Sequence, residues 1–347
     1  MSEFAQHLLA WFDRDGRHDL PWQHPRTPYR VWLSEIMLQQ TQVQTVIPYY
    51  LKFLGELPTL PDLAAADTDR VLALWAGLGY YARARNLHKA ARVCVAEHGG
   101  DLPRDFEAMA ALPGIGRSTA GAILAQAHGD RFAILDGNVK RTLARYHGID
   151  GWPGSGPVEK KMWELAQRHL PDARLADYTQ AIMDFGATLC TRHDPACVLC
   201  PLQDDCVARR EGRVEQLPEA KPGKPLPERR TLMLWVEDAQ GRVLLARRPE
   251  KGVWAGLWSL PETEGHDQAR DWLAGNVAAD FDAGEDLPVF EHVFSHYRLH
   301  IEPRRWRLAD ANLLKGDNDD LRWQPRQQLH ELGLPAPVKK LLGSLTP

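Results

Sequence analysis

The chain reads Ala111-Leu-Pro-Gly-Ile-Gly-Arg-Ser-Thr-Ala120 between two segments whose apolar residues recur at helical spacing, and this stretch decides the fold of its first half. Leu-Pro ends the preceding helix, and Ser118 with Thr119 is expected to cap the next one. Gly114 and Gly116 leave backbone N–H groups free at a helix N-terminus, where a phosphate can bind. A helix–turn–helix corner that uses glycine only for steric reasons is the simpler alternative.

The segments around this hairpin predict an all-α domain over residues 1–212. Apolar residues recur every three or four positions in Phe4–Phe12, Val31–Leu38 and Ala120–Ala127. The gaps between such segments are short and contain Pro or Gly, and no strand-like alternation is seen. Helices joined by short turns therefore account for the whole segment.

Beyond residue 212 the composition changes. Residues 213–228 contain four prolines and almost no large apolar side chains, which is typical of a semi-rigid linker. Residues 229–347 then predict an α+β domain, because strand-like runs flank the turn Asp238-Ala-Gln-Gly241. Helices are expected near 268–274 and 338–345.

Overall composition excludes several classes of protein. The 347 residues hold 42 Lys and Arg against 46 Asp and Glu, a formal charge of −4, with 44% hydrophobic residues. This is the composition of a globular protein, not of a disordered chain. No apolar run reaches the ~18 residues that span a bilayer and no secretory signal is visible, so a cytoplasmic protein is expected. Because a general polyanion binder is usually basic, any contact with nucleic acid must come from local clusters.

Four of the five cysteines lie close together, at Cys190, Cys197, Cys200 and Cys206. In a chain expected in the cytosol such a cluster indicates metal ligands rather than disulfides. Only one pair has the spacing of a zinc knuckle, so the uneven spacing favours a [4Fe–4S] cluster over a single Zn²⁺. The metal would transfer electrons or staple a loop too short for its own core. Cys94 lies in an apolar helical run and is expected to be a small buried side chain.

Two carboxylates lie in apolar stretches of the helical domain. Glu35 has Val31, Trp32 and Leu38 at helical i±3 and i±4 spacing, surroundings that disfavour its ionised form and suit a general acid. Asp136 follows a second apolar run. Each has an ordinary alternative, a surface acid for Glu35 and a turn or helix cap for Asp136. A pair of carboxylates is nevertheless what hydrolysis of a glycosidic bond typically requires.

Several stretches occur together, in a fixed order along the chain. They are Leu33-Ser-Glu-Ile-Met-Leu-Gln-Gln-Thr-Gln-Val43, Gly77-Leu-Gly-Tyr-Tyr-Ala-Arg-Ala-Arg-Asn-Leu87, the hairpin beginning at Leu112, Ile134-Leu-Asp-Gly-Asn-Val-Lys-Arg141 and the four cysteines. In this combination the chain closely resembles the adenine DNA glycosylases of the helix–hairpin–helix superfamily. The resemblance covers nearly the whole chain. It implies a base-excision repair enzyme that releases adenine mispaired with 8-oxoguanine or guanine from a flipped-out nucleotide.

The resemblance also implies a cofactor, partners and residue roles. It implies a [4Fe–4S] cluster, a monomer bound to double-stranded DNA in a bacterial-type nucleoid, and no membrane, and it leaves sliding-clamp or mismatch-repair partners open. Glu35 protonates the adenine ring and then activates water, while Asp136 stabilises the oxocarbenium ion. The residues implied to contact DNA are Gln39, Gln40, Tyr80, Leu112, Gly114, Gly116, Ser118 and Asn138. Those implied to lie near the adenine are Trp22 and Gln180.

Further expectations for the first domain concern lyase activity and the contacts with DNA. Ser118 stands where related enzymes that also cut the backbone carry a Schiff-base lysine, and a hydroxyl cannot form an imine, so weak or no lyase activity is expected. For Tyr80, packing in the core is the alternative to a place in the DNA stack. A phosphate-tracking face is expected at Arg83, Arg85, Lys89 and Arg92, with a solvated face as the ordinary alternative.

The second domain resembles Nudix hydrolases that act on 8-oxo-dGTP, through Trp254-Ala-Gly-Leu-Trp-Ser-Leu-Pro-Glu262. The acidic core of the Nudix helix is missing after this stretch, so recognition of 8-oxoguanine without pyrophosphate hydrolysis is expected. The resemblance assigns that recognition to Phe294, Ser295 and His296. The alternative is that these three are ordinary strand residues.

Three other functions remain open on the sequence alone. A ferredoxin-like electron carrier explains the cysteines but neither the carboxylates nor the hairpin. A mismatch sensor without enzymatic activity would bind DNA and never release adenine. A pyrimidine-specific glycosylase is disfavoured by the Nudix-like second domain.

Overall fold

The structure is a computed structural model, and the residues that it describes are 1–223, 225–310, 314–316 and 318–343. The chain divides into two compact units. The helical unit comprises Met1–Ala65 and Asn86–Gly223, and the sheet unit comprises Ala66–Arg85 and Lys224–Pro347. Within the described ranges no helix combines the length and apolar character needed to cross a bilayer.

The described residues form α-helices in both units. In order they are α1 (Glu3–Asp15), α2 (Pro28–Leu38), α3 (Val43–Glu56), α4 (Leu60–Ala65), α5 (Thr68–Trp75), α6 (Ala82–Glu97), α7 (Phe106–Ala111), α8 (Arg117–His128), α9 (Gly137–His147), α10 (Gly156–His169), α11 (Leu175–Thr188), α12 (Val207–Arg210), α13 (His266–Asn276) and α14 (Ala336–Gly343), with 3₁₀ turns at Cys197–Leu199 and Arg326–Glu331. The described residues of the helical unit contain no strand, which confirms the predicted all-α class.

The core of the helical unit forms where α1, α9, α10 and α11 meet. On α1, Phe4, Leu8 and Phe12 recur every four residues and are buried together. The helix begins after Ser2, whose hydroxyl accepts a hydrogen bond from the N–H of Ala5 at 3.3 Å. Helix α2 packs against α3 and α8. This arrangement sets α2 beside the helix that follows the glycine hairpin.

The glycine hairpin joins α7 to α8. Its turn closes with a bond from the N–H of Ile115 to the carbonyl of Leu112 at 3.0 Å, and Gly114 adopts φ +80°. The predicted cap at Ser118 and Thr119 is wrong. Helix α8 begins at Arg117 with Gly116 as its N-cap residue and no side-chain cap, so both hydroxyl residues lie inside the helix.

The sheet unit contains, among its described residues, one eight-stranded sheet. Its strands are β1 (Glu228–Glu237), β2 (Arg242–Arg247), β3 (Trp258–Ser259), β4 (Glu262–Thr263), β5 (Glu285–Asp286), β6 (Phe290–Val293), β7 (Arg298–Arg307) and β8 (Leu321–Pro325). The order is β3-β2-β1-β7-β5, with β4 on β1, β6 on β7 and β8 on β2. Strands β1 and β7 run parallel, from Glu228 opposite Arg298 to Glu237 opposite Arg307.

Both faces of this sheet are covered. On β1, Met233 and Trp235 face a core shared with α14, while Leu234 and Val236 face a second core shared with α13. The predicted hairpin is present, because β1 and β2 pair antiparallel. Asp238 Oδ1 accepts the N–H of Gln240 in the turn and the N–H of Arg242 at the start of β2. The α+β class of this part is confirmed.

One segment groups differently from the sequence prediction. Residues 66–85 belong by sequence to the predicted domain 1–212, yet their contacts group them with the sheet. Helix α5 lies in this segment and carries the buried residues Val71, Leu72 and Trp75. The predicted domain boundaries after residues 212 and 228 stay predictions.

Candidate active site and cysteine-lined cavity

Glu35 lies on α2, which begins after Thr27, whose hydroxyl accepts the N–H of Arg30 at 3.3 Å. Protein surrounds the Glu35 carboxyl while part of the residue's surface stays accessible. Gln126 Nε2 donates a hydrogen bond to Glu35 Oε1 at 2.9 Å. Burial raises the pKa of Glu35 to about 7, the bond from Gln126 opposes this rise, and the charge of Asp136 adds to it. Near neutral pH a large fraction of Glu35 therefore carries the proton that a general acid needs.

Asp136 is the N-cap residue of α9, and its Oδ1 accepts the N–H of Val139 at 2.8 Å. Asp136 is therefore a helix cap, as its alternative interpretation predicted. Its carboxyl also interacts electrostatically with Glu35. Burial raises the pKa of Asp136, while N–H groups at the start of α9 and the cations Arg141 and Lys140 oppose the rise. These donors and cations favour an anion at Asp136, whereas Glu35 receives a single amide donor.

Asn138 is held beside Asp136 by Arg141. The guanidinium donates to Asn138 Oδ1 at 2.8 Å, to the carbonyl of Gly186 at 2.5 Å and to the carbonyl of Cys190 at 2.8 Å. A Cβ at Gly186 would lie 2.5 Å from the Cβ of Asn138, so α9 and α11 can approach this closely only with glycine there. Arg141 therefore connects the start of α9 to the cysteine loop.

The glycine hairpin presents backbone to solvent. Leu112 is buried and anchors the turn, whereas Gly114 and Gly116 are exposed. A Cβ at Gly114 would lie 2.8 Å from the Cβ of Asn86, but one at Gly116 would meet nothing within 4 Å. The exposed N–H groups at the start of α8 form a surface suited to an anionic ligand.

Ser118 links this hairpin to the carboxylate. Its hydroxyl accepts the N–H of Leu135, the residue before Asp136, at 2.9 Å. A lysine in the same region, Lys140, donates to Glu159 Oε1 at 2.7 Å. The amine closest in sequence to Asp136 is thus engaged in an ion pair.

The remaining residues implied to contact DNA lie at two turns. Gln39 ends α2, and Gln40 follows it, exposed, with φ +59°. Tyr80 belongs to the sheet unit and is 54% exposed, which excludes core packing for its side chain. The expected phosphate-tracking face is wrong in part, because Arg83 is buried and donates to carbonyls of its own turn, and Arg85 donates to the carbonyl of Ala255.

Trp22 and Gln180 are both buried. Trp22 packs edge-on against Tyr50 with ring centroids 5.3 Å apart. Gln180 Nε2 donates to Asp184 Oδ1 at 2.8 Å, and its Oε1 has no partner among the described residues. A buried acceptor without a partner is available to a ligand donor, and the place of Gln180 near the base stays a prediction.

Four cysteines line one cavity of about 30 Å³ between α9, α11 and the loop after α11: Cys190, Cys197, Cys200 and Cys206. Within the described ranges no three His, Cys, Asp or Glu side chains converge as ligands of a single ion. All four thiols line this shared cavity, so the residues present fit a common cofactor held by thiolate ligands. Val198 and Leu199, between two of the cysteines, are about four-fifths exposed (80% and 77%), so the loop has little core of its own.

Arg145 is the buried centre of the cysteine loop. It donates to the carbonyls of Thr191 at 2.6 Å and Arg192 at 3.1 Å, and its Nη1 lies 3.5 Å from Cys190 Sγ. Its Nε donates to the carbonyl of Leu217 at 2.9 Å. A buried guanidinium with this many carbonyl partners fixes the loop backbone around the cavity.

Phe294, Ser295 and His296 form the connection between β6 and β7, and the N–H of Phe294 bonds to the carbonyl of Tyr297 at 2.9 Å. They are turn residues, which removes the strand alternative. Ser295 and His296 are exposed, while the Phe294 ring packs against Trp254 at a centroid distance of 5.1 Å. This turn therefore presents two polar side chains on an aromatic base.

The sequence interpretation missed Gln126, Arg141 and Arg145. Gln126 is a polar residue within the apolar run of α8, which is a usable signal, but its partner Glu35 is 91 residues away. Arg141 and Arg145 are one helical turn apart on α9, and only the tertiary structure reveals that they reach the same loop.

Comparisons with known proteins find relatives for both parts of the chain. Residues 33–168 match the HhH-GPD superfamily of base excision DNA repair proteins, and residues 232–344 match the NUDIX domain. The chain is 38% identical to an adenine DNA glycosylase of Buchnera aphidicola over 98% of this chain and 96% of that protein. It is 34% identical to the adenine DNA glycosylase of Homo sapiens over 98% of this chain and 73% of that protein. Among solved structures, a thermostable thymine-DNA glycosylase is 30% identical with a TM-score of 0.54, over 60% of this chain and 95% of that one.

Fold and site together define a helix–hairpin–helix DNA glycosylase, a base-excision repair enzyme that hydrolyses N-glycosidic bonds. Its two enclosed carboxyl groups and its exposed hairpin are the parts such an enzyme needs. The relatives narrow the class further. The chain belongs to the adenine DNA glycosylase family.

Proposed function

We propose that this enzyme excises adenine mispaired with 8-oxoguanine or guanine, without cutting the DNA backbone. The observation that carries the chemistry is the pair Glu35 and Asp136, in which a carboxyl with a pKa of about 7 faces the charge of a second carboxyl. Support for adenine comes from the family. Support for a lesion opposite it comes from the exposed turn at Ser295 and His296.

The proton of Glu35 supplies the first step. A flipped-out adenine is a poor leaving group as an anion, and protonation of a ring nitrogen lets it depart as a neutral base. The bond from Gln126 engages Oε1 of Glu35, and we assign the proton transfer to the second carboxyl oxygen. Once deprotonated, Glu35 is a base that can activate the attacking water.

Asp136 supplies the second requirement. As the C1′–N9 bond breaks, positive charge develops on the sugar, and a nearby carboxylate stabilises it. The backbone N–H groups and cations at the start of α9 hold Asp136 in place and favour its anion. In this position Asp136 can stabilise the oxocarbenium ion electrostatically or form a transient covalent bond to the sugar.

Release of the base is proposed without lyase chemistry. Ser118 cannot form an imine with the opened sugar, and its hydroxyl already accepts the N–H of Leu135. The amine of Lys140 is paired with Glu159. The Lys140 amine is therefore engaged with a carboxylate rather than aimed at a sugar.

The four cysteines are proposed to hold a [4Fe–4S] cluster. Their uneven spacing, with a single C-x2-C pair, supports this cofactor over zinc, and all four line one cavity. When bound, the cluster supplies a rigid core to a loop whose apolar side chains are exposed. Iron, sulfide and zinc analysis of the purified protein distinguishes the two metals.

One assay tests the proposal. Duplexes with A opposite 8-oxoguanine, G, C or T, and a T:G duplex, are incubated with the protein, and strands are resolved before and after alkali. We expect cleavage after alkali for A opposite 8-oxoguanine and G, with little before alkali, and no product with Glu35→Gln. Preferential release of thymine from T:G would contradict the proposal. Strand scission before alkali, together with a protein–DNA imine that borohydride reduces to a stable cross-link, would contradict its monofunctional part.

A further inference from the structure

The turn that carries Tyr80 is part of the sheet unit. Residues 76–81, here called the Tyr80 turn, follow α5 and lie within the segment that groups with the sheet. Tyr80 itself has φ +48° and is 54% exposed. Arg83 braces the turn from within, since it donates to the carbonyls of Leu78 at 3.1 Å and Gly79 at 3.2 Å and lies over the Tyr80 ring.

A clamp on α5 fixes one end of this segment. Asp69 accepts hydrogen bonds from Arg247 at 3.1 and 3.4 Å and from Trp258 Nε1 at 3.3 Å. Arg247 and Trp258 are paired across β2 and β3, and the guanidinium lies 4.5 Å from the indole ring. Both carboxylate oxygens of Asp69 are therefore engaged by donors that the sheet itself sets in place.

Further contacts fix the segment elsewhere. The Tyr81 hydroxyl donates to the buried carbonyl of Leu334 at 3.1 Å. Gly333 lies so close to Leu72 that a Cβ on the glycine would be 2.9 Å from that of the leucine. Arg85, just after the turn, donates to the carbonyl of Ala255. The sheet unit thus grips the segment before, within and after the Tyr80 turn.

A short chain of contacts runs from Arg85 to the recognition turn, defined as residues 294–297. Ala255 follows Trp254 in sequence, and the Trp254 ring packs against Phe294 at 5.1 Å. Phe294 in turn packs against Tyr297 at 4.7 Å. Rigid packing of this kind transmits displacement, because packed aromatic and backbone groups have little room to adjust.

We propose that the Tyr80 turn and the recognition turn form one rigid reader of the mispair, and that Asp69, through Arg247 and Trp258, is the positioning residue that holds it together. This rests on the proposed recognition of 8-oxoguanine opposite adenine. Asp69 touches no DNA in this scheme. The contacts of Asp69 set where Tyr80 enters the base stack of the DNA relative to the recognition turn. Asp69 thereby governs discrimination between 8-oxoguanine and guanine.

The test compares Asp69→Asn with Asp67→Asn in the full chain. Asp67 is exposed at the start of α5 and makes no side-chain cap. Asp67→Asn therefore removes the same charge and leaves the contacts of Asp69 with Arg247 and Trp258 in place. We expect Asp69→Asn to lower the ratio of single-turnover rates on A:8-oxoguanine and A:G by about tenfold, because small misplacement of a positioning group costs up to ~100-fold. The rate on A:G and the ratio for Asp67→Asn should stay near wild type.

Two further readouts separate positioning from general destabilisation. In a Tyr80→Ala background, Asp69→Asn should lower the ratio no further, since both changes act through the same turn. Amide hydrogen exchange at residues 76–81, measured without DNA, should quicken in Asp69→Asn alone. Equal loss on both substrates, additive effects with Tyr80→Ala, or unchanged exchange would overturn the proposal. If wild type releases no adenine, the proposed function fails, and exchange alone then decides whether the clamp holds the turn. If wild type releases adenine equally fast from both duplexes, the proposed function stands and the proposed reader is overturned.

Discussion

Replacing Gln126 by leucine tests how the protein keeps Glu35 poised as an acid. The two side chains are similar in size, and residue 126 is buried, so the change removes a donor without opening a large cavity. The lost bond is the one from Gln126 Nε2 to Glu35 Oε1 at 2.9 Å. Because that bond stabilises the ionised carboxylate, its removal raises the pKa of Glu35 further above about 7.

The size of the effect follows from hydrogen-bond energetics. A bond to a charged group contributes about 1.5–3 kcal/mol, and 1.36 kcal/mol corresponds to one pKa unit, so the shift is roughly one to two units. The lower end applies, since Glu35 keeps an accessible surface through which water can replace the amide. The acid form is the active one, and it is lost as pH rises through the pKa. In the leucine variant the alkaline fall in rate therefore moves to higher pH by about one unit.

The assay is single-turnover adenine release from an A:8-oxoguanine duplex across about pH 5 to pH 9. The plateau rate should also fall, because the carboxyl loses the contact that orients it. Gln167→Leu, at an exposed position of α10, is the matched control and should leave the profile unchanged. An alkaline limb that stays in place, or that moves to lower pH, would refute this reasoning.

Three further changes probe separate parts of the account. Asp136→Asn keeps a helix cap but removes the charge, so excision should slow by about 100-fold or more while duplex affinity in a gel-shift assay persists. Cys200→Ser should lower bound iron and the melting temperature, whereas Cys94→Ser should leave bound iron unchanged; equal iron in both would contradict the cavity assignment. Gly114→Ala should cost about 1–2 kcal/mol of stability and weaken DNA binding because of its positive φ, with Gly116→Ala as the milder control.

Local patterns in the sequence were sufficient for parts of this site. Apolar neighbours at helical spacing predict the setting of Glu35, because i±3 and i±4 positions on α2 share a face. The cysteine spacing predicts a common site, since the four lie in one short loop. The turn Asp238–Gly241 predicts its hairpin, because the required backbone conformation is encoded within four residues.

Other features depend on contacts between distant residues. Gln126 and Glu35 are 91 residues apart, and no local pattern joins them. The sequence predicts that Ser118 caps α8, but the helix begins earlier, at Arg117. The Ser118 hydroxyl instead accepts a hydrogen bond from the N–H of Leu135. The contacts that group residues 66–85 with the sheet, such as the one between Asp69 and Arg247, arise from tertiary packing, and periodicity does not predict them.

The most direct measurement is single-turnover excision by Glu35→Gln on an A:8-oxoguanine duplex, with duplex affinity measured in parallel. The amide keeps the shape of the carboxyl, but its N–H protons are not acidic enough to be transferred to a leaving purine. The account predicts unchanged affinity and excision slower by at least about 100-fold. Excision at the wild-type rate by a variant that binds normally would contradict it.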